Sequence, residues 1–364
     1  MTPIARQAPL RPRHPGLMDR AQQPFQAAGL KQPSYVTFGN HDGEVQGNIH
    51  ALQALDTVAR GCVKPLSVSA APTLAALLTS PERSIVVPPD PDRGFADRPR
   101  YKALHATGAQ ADAHGFGFVD AAERSASRGQ AAYYAFSPKP GLRMIAINTV
   151  AEGDRLSSTG NLDEPQFRWL RAELQEATEK QELVIVFGHH PISSLTNTAP
   201  DEQAGDCALR AITGPGCDLD PRESRPLRLG ADLQRLLLEH RNVIAFVAGH
   251  THENRVKAFA AAAGGGFWGI ETASEIDWPI QSRLLEVMDN RDGTLSIFGT
   301  LIDHGATLSP PPPGTPAASF ATEALAALGR EMAYNDPQVG VEDGAEGAPR
   351  DRNVELLLPD PRRR

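Results

Sequence analysis

Three short stretches of this 364-residue chain gather side chains that bind metal or move protons: Gly39-Asn40-His41-Asp42, Gly188-His189-His190-Pro191 and Gly249-His250-Thr251-His252. Asn40 offers an amide oxygen, and His189, His250 and His252 offer imidazole nitrogens. Neutral oxygen and nitrogen donors converging from several loops suit divalent ions that activate water. His41, beside Asn40, stands where a general acid protonates a leaving oxygen, with Asp42 to orient it. In Gly-His-Thr-His the i, i+2 spacing turns both imidazoles to one side if the loop is extended.

Elements that could position these groups are legible around them. Each stretch follows an apolar run (Tyr35–Phe38, Leu183–Phe187 and Val243–Ala248) that reads as a buried strand. Ligands at the carboxyl ends of strands, on loops held by a sheet, are a common α/β layout. Asp163 is placed to cap a helix, Pro165 is tolerated in its first turn, and Gln166 completes a capping-box pattern. Phe167, Leu170, Leu174 and Ala177 then mark its buried face. Tyr133–Phe136 and Arg143–Ile147 read as paired strands, giving a β–α–β unit from Ile145 to Phe187. A helix from Ala231 to His240, with Leu233, Leu236 and Leu237 inward, feeds the third motif, and another spans Asn48 to Arg60 with His50 as a packing or surface residue. A short helical segment is expected at Pro72 to Leu78.

Beyond His252, four short strands (255–260, 267–272, 283–288 and 294–302) read as one antiparallel meander. A proline run at Pro310–Pro313 precedes a helix at about 317–334, and the apolar run 353–358 is expected to return to the body. The expected organisation is an irregular lead-in (1–33) with a solvated His14, a main domain (34–305) and a C-terminal segment (306–364). Insertions at about 62–132 and 193–228 interrupt the main domain. His105 and His114, in the first insertion, are loop histidines with a chance of meeting substrate.

Hydrophobic residues make up 40% and charged residues 22%, as in a water-soluble globular chain. A net charge of −8 argues against non-specific nucleic-acid binding. No apolar run approaches the ~18 residues of a membrane span. Met1 to Pro15 show neither an apolar signal region nor a twin-arginine pair, so the sequence as written reads as cytoplasmic. Of three cysteines, Cys207 and Cys217 flank a Gly/Pro-rich loop and either pair or stay reduced; with Cys62 they show no zinc-site spacing. The absence of a His-Glu-x-x-His sequence argues against an unrelated zinc hydrolase.

Gly-Asn-His-Asp, Gly-His-His-Pro and Gly-His-Thr-His, in this order and each after an apolar strand, resemble the calcineurin-like metallophosphoesterase superfamily. Asn148-Thr149, and Gly160-Asn161-Leu162-Asp163 with Gln166, Trp169 and Leu170, are similar to the segment before its histidine motif. The long insertions, Asp277-Trp278-Pro279 and Asp351-Arg352-Asn353 look most like an actinobacterial branch that is exported by the twin-arginine route. The resemblance implies an α/β sandwich of two β-sheets flanked by helices. It implies two divalent ions (Mn, Fe or Zn), one held by Asn40, His189 and His250 and the other served by His252, with His190 beside a ligand. It also implies His41 as the acid, a metal-activated hydroxide attacking phosphorus in line, and a small or macromolecular phosphoester as substrate.

The family's Asp-x-His and Gly-Asp sequences, which precede Gly-Asn-His-Asp, are not found in residues 1–38. The expectation is therefore an N-terminally shortened chain, without the first β–α–β portion, poorly soluble or unstable and hydrolysing phosphate esters at the background rate as written. Its alternative is a non-catalytic remnant that binds at most one metal or a phosphate. The Tyr35–Phe38 strand would then have an unpaired edge.

Overall fold

Leu183–Phe187 and Val243–Ala248 carry no polar side chain to place in water, so both faces of each run must be covered. The computed structural model describes residues 14–48, 53–67, 83–108, 110–151, 153, 158–201, 220–262, 264–336 and 344–363. Its strands, in chain order, are β1 (Val63–Ser67), β2 (Arg83–Val86), β3 (Tyr134–Lys139), β4 (Leu142–Ala146), β5 (Leu183–Phe187), β6 (Val243–Ala248), β7 (Arg255–Ala260), β8 (Gly266–Glu271), β9 (Gln281–Asp289), β10 (Thr294–Asp303) and β11 (Val354–Pro359). Its α-helices are α1 (Leu17–Ala21), α2 (Asn40–Gly43), α3 (Gln53–Arg60), α4 (Arg98–His105), α5 (Ala121–Ala126), α6 (Glu164–Glu179), α7 (Gly230–Glu239) and α8 (Thr322–Tyr334). No helix among the described residues is long and apolar enough to cross a membrane.

The architecture is mixed α/β. A six-stranded sheet runs β3-β4-β5-β6-β8-β7, with β4, β5, β6 and β8 mutually parallel and β3 and β7 antiparallel at the edges. A three-stranded antiparallel sheet, β11-β10-β9, forms a second layer. Alternation along β5 divides the core. Val184 and Val186 join the cluster of Leu170, Leu174, Leu233 and Leu237 from α6 and α7. Leu183 and Ile185 face Leu295, Ile297, Leu356 and Leu358 of the second sheet. Each such buried leucine or isoleucine contributes on the order of 1.5–3 kcal/mol.

The expected meander is divided. β7 and β8 belong to the six-stranded sheet, where β8 runs parallel to β6, while β9 and β10 belong to the other sheet. The turn at Ser274–Ile280 carries the chain from one layer to the next. The returning tail is seen as β11, paired along β10 with Leu356 and Leu358 buried.

Tyr35–Phe38 is not a strand. Its contacts to the β3 edge are made by single groups: the Tyr134 hydroxyl donates to Val36 O (2.8 Å), Val36 N–H donates to His114 O (3.0 Å), and the Tyr35 ring stacks on Phe136 at 4.0 Å. One side-chain and one backbone hydrogen bond, rather than a ladder, meet Val36. The lead-in is less irregular than expected. Leu17 of α1 packs against the cluster of Ala317, Phe320 and Leu328. His14 is buried, not solvated, with Nδ1 3.1 Å from Thr315 O and its ring edge-on to Phe320. Cys62 is exposed and unpaired. Cys207, Cys217, His50 and the helix expected at Pro72–Leu78 lie outside the described residues.

Asp163 caps α6 by accepting from Gln166 N–H at 2.7 Å. Gln166 does not close the expected capping box. Its Oε1 accepts from Asn148 N–H (2.8 Å) and its Nε2 donates to Asn148 O (2.7 Å), tying α6 to the chain just after β4. Two buried backbone groups would otherwise lack partners, which costs more than a free helix terminus.

Candidate metal centre

β5 delivers His189 and His190 through Gly188. A Cβ on Gly188 would lie 2.9 Å from Ile147 Cγ1, so only glycine lets the chain turn this close to the neighbouring strand. β6 delivers His250 and His252 through Gly249. That loop is not extended: His250 (φ 68°) and His252 (φ 58°) are both left-handed, a costly backbone for a residue with a side chain. Thr251 Oγ1, between them, donates to Glu271 Oε2 at 3.1 Å, which pins the loop to the end of β8. The two imidazoles consequently diverge. His250 turns to His189, and His252 turns to Asp277.

His189 stands between Asn40 and His250, with one ring nitrogen in reach of both. Asn40 Oδ1 lies 2.5 Å from His189 Nε2, which lies 3.2 Å from His250 Nδ1. Asn40 is buried, and its Nδ2 donates to Gly47 O at 2.6 Å, which assigns the other amide atom as the oxygen. Metal–ligand bonds of about 2.0–2.2 Å place neighbouring donors roughly 3 Å apart, so this set fits a single divalent ion. Neutral nitrogen and oxygen donors suit zinc, iron or manganese.

His190 lies within 4.8 Å of His189 and His250 by its donor atoms, yet both of its ring nitrogens are engaged. Thr149 Oγ1 accepts from His190 N–H (3.0 Å) and donates to Nδ1 (2.8 Å), and Nε2–H donates to Ser158 O (2.7 Å). This fully buried, neutral ring has no lone pair left for an ion. Its ring lies 4.0 Å from that of His250, tilted by 49°, and supports it.

Burial, followed by the charges of nearby histidines, pushes His189, His190 and His250 down to about 3. All three are therefore neutral at pH 7, and the lone pairs of His189 and His250 are free to ligate. Unfolded, they take up protons near 6.5. Between about 3 and 6.5 the unfolded state binds more protons, so stability is fully present above 6.5 and falls as pH drops through this window. For the metal-free chain each ring is expected to contribute up to ~1.4 kcal/mol per pH unit, most fully at buried His190. Denaturation midpoints at pH 7 and pH 5 test this, and equal midpoints would refute it.

Among the other expected site residues, His41 is exposed, and its ring lies over Gly47, where a Cβ would come within 2.5 Å of Nε2. Asp42 accepts from Gly39 N–H at 2.8 Å, closing the turn that presents Asn40 and His41. His105 and His114 do not join the cluster. His105 Nδ1 lies 2.9 Å from Tyr101 O and His114 Nδ1 lies 2.6 Å from Ser34 Oγ. Sequence reasoning missed Asp277 as the partner of His252 and Thr149 as the partner of His190. Asp277 and Thr149 stood within stretches noted for their resemblance, but nothing local linked either to its histidine.

The sequence model of the calcineurin-like phosphoesterase family matches residues 14–254. No curated protein matches the chain. A dimetal phosphatase from Danio rerio is similar in structure, with a TM-score of 0.33 and 16% identity, over 57% of this chain and 65% of that one.

Proposed function

The chain belongs to the calcineurin-like phosphoesterase family, and from that premise we propose that it is a metal-dependent phosphoester hydrolase with its first divalent ion held by Asn40, His189 and His250. The observation that carries this is the meeting of Asn40 Oδ1, His189 Nε2 and His250 Nδ1 within 2.5 and 3.2 Å. His252 serves a second ion. Divalent ions at this place supply Lewis-acid polarisation of phosphoryl oxygens and a water of lowered pKa.

The remaining work falls to the chain's own groups. His41 donates the proton that the leaving oxygen needs, from an exposed ring next to a ligand. Asp42 holds the turn that aims His41. The His190–Thr149 pair fixes the floor under His250, and Gln166 fixes Asn148 beside Thr149. The substrate is a small or macromolecular phosphoester.

Metal analysis and hydrolysis assays on the purified chain test the reading. Close to two equivalents of Mn²⁺ or Zn²⁺, with chelator-sensitive hydrolysis of p-nitrophenyl phosphate or its bis-ester, would support the hydrolase. One equivalent or none, with hydrolysis at the background rate, would make the chain a metal-binding or phosphate-binding remnant instead.

A further inference from the structure

A cavity of about 590 Å³ lies between α7 and the β7–β8 edge of the six-stranded sheet. Sites that take a small organic molecule are of this size, mostly apolar, with a few polar groups that set orientation. Here the floor is apolar: Phe246 of β6, Ile270 of β8 and Phe259 of β7. Ile192 and Leu195, from the loop after β5, and Leu229 and Ala231, at the start of α7, complete the lining on the other side.

Phe259 is held in place by its neighbours. Its ring stacks on Phe267 with centroids 4.8 Å apart. A Cβ on Gly269 of β8 would lie 2.6 Å from Phe259 Cε2, so only glycine leaves room for the ring there. Lys257, two residues earlier and on the same face of β7, sets its ammonium 4.9 Å from the centre of the Phe259 ring. Arg255, the other cation of the lining, is engaged by Glu253. Lys257 has no ion-pair partner among the described residues, so one positive charge stands uncompensated at the edge of an apolar floor.

The cavity adjoins the metal centre. Pro191 of its lining follows His190, whose ring lies 4.0 Å from that of His250. Glu271, also in the lining, accepts from Thr251, between His250 and His252, at 3.1 Å. A molecule held by its phosphate at the ion has this cavity beside it for the rest of its structure.

We propose that the cavity binds the organic part of the phosphoester, an apolar aromatic body that carries a negative group of its own. The aromatic body covers Phe246 and Phe259, and Lys257 takes the negative group, an attraction that strengthens as water is displaced. The identity of the ligand as substrate rests on the hydrolase reading above; the cavity and its cation do not.

The test titrates the full chain with 8-anilinonaphthalene-1-sulfonate, an aromatic anion whose fluorescence reports binding, and with its uncharged counterpart N-phenyl-1-naphthylamine. Wild type should bind one sulfonate per chain. Lys257→Gln should weaken the sulfonate about tenfold, the worth of one charged contact, and leave the uncharged dye as it was. Ala231→Trp, which fills the cavity from an exposed helix position, should abolish binding of both. If Ala231→Trp does not fold, Lys257→Gln, at an exposed strand position, decides. The sulfonate should also inhibit hydrolysis of 1-naphthyl phosphate competitively, about tenfold less well in Lys257→Gln. Sulfonate affinity that is absent in wild type, or the same in wild type and Lys257→Gln, overturns this inference and leaves the hydrolase reading standing. Hydrolysis that bound sulfonate does not inhibit also overturns it. Binding as expected in a wild type that hydrolyses no phosphoester overturns the hydrolase reading and the substrate assignment, and the cavity remains a site for an aromatic anion.

Discussion

His189→Ala is expected to lose one equivalent of metal and to cut metal-dependent hydrolysis on the order of 10³-fold. His189 Nε2 lies between Asn40 Oδ1 and His250 Nδ1, so removing it takes the middle donor from a set of three. A bound ion supplies several kcal/mol of transition-state stabilisation, and about 1.36 kcal/mol is tenfold in rate. His190→Ala is the contrast. It strips partners from Thr149 Oγ1 and Ser158 O without removing a ligand. It should keep the first ion and lose about 1–3 kcal/mol of stability for each buried group left unpaired. Metal content by mass spectrometry, read beside denaturation midpoints, separates the two. Retention of a full metal complement by His189→Ala would refute its place as a ligand.

The contrast between these adjacent histidines shows what local sequence can carry. An apolar run, a glycine and a histidine are consecutive, so the strand ends at Gly188 and Gly249 and the candidate residues that follow them were legible directly. Which nitrogen is free depends on partners distant in sequence. Thr149 reaches His190 across 41 positions, and Asp277 reaches His252 across 25. Gly-His-Thr-His is not the extended loop that would have turned both imidazoles to one side, because tertiary contacts, Thr251 to Glu271 and Asn254 to Ala345, hold it in a curled path. Gln166 matched a capping-box pattern, but Asn148 offered two buried backbone groups, and the longer-range bonds won.

Strand identity and strand pairing separated in the same way. Residues 255–260, 266–271, 281–289 and 294–303 are strands close to where alternation placed them. Their distribution over two sheets depends on the Ser274–Ile280 turn, whose direction no short pattern records. Tyr35–Phe38 alternates like a strand, yet its backbone is met by Tyr134 and His114 O instead of a ladder. His14 finds cover 301 positions away, at Thr315.

His41→Ala is expected to lower turnover by ~10²–10⁴, the range for losing a general acid, while metal content stays at the wild-type value. The ring is exposed and lies against Gly47, next to a ligand but outside the three-donor cluster. Its removal therefore leaves Asn40 Oδ1 on His189 and Asn40 Nδ2 on Gly47 O. The deficit should depend on the leaving group. An alkyl phosphoester needs its oxygen protonated as the bond breaks and should show the full loss. A p-nitrophenyl ester leaves as a stable anion and should show a much smaller one. Rates for a series of leaving groups of rising pKa, measured on wild type and His41→Ala at one metal loading, give two lines of different slope if His41 is the proton donor. Parallel lines, or metal lost with the ring, would instead place His41 in binding or ligation.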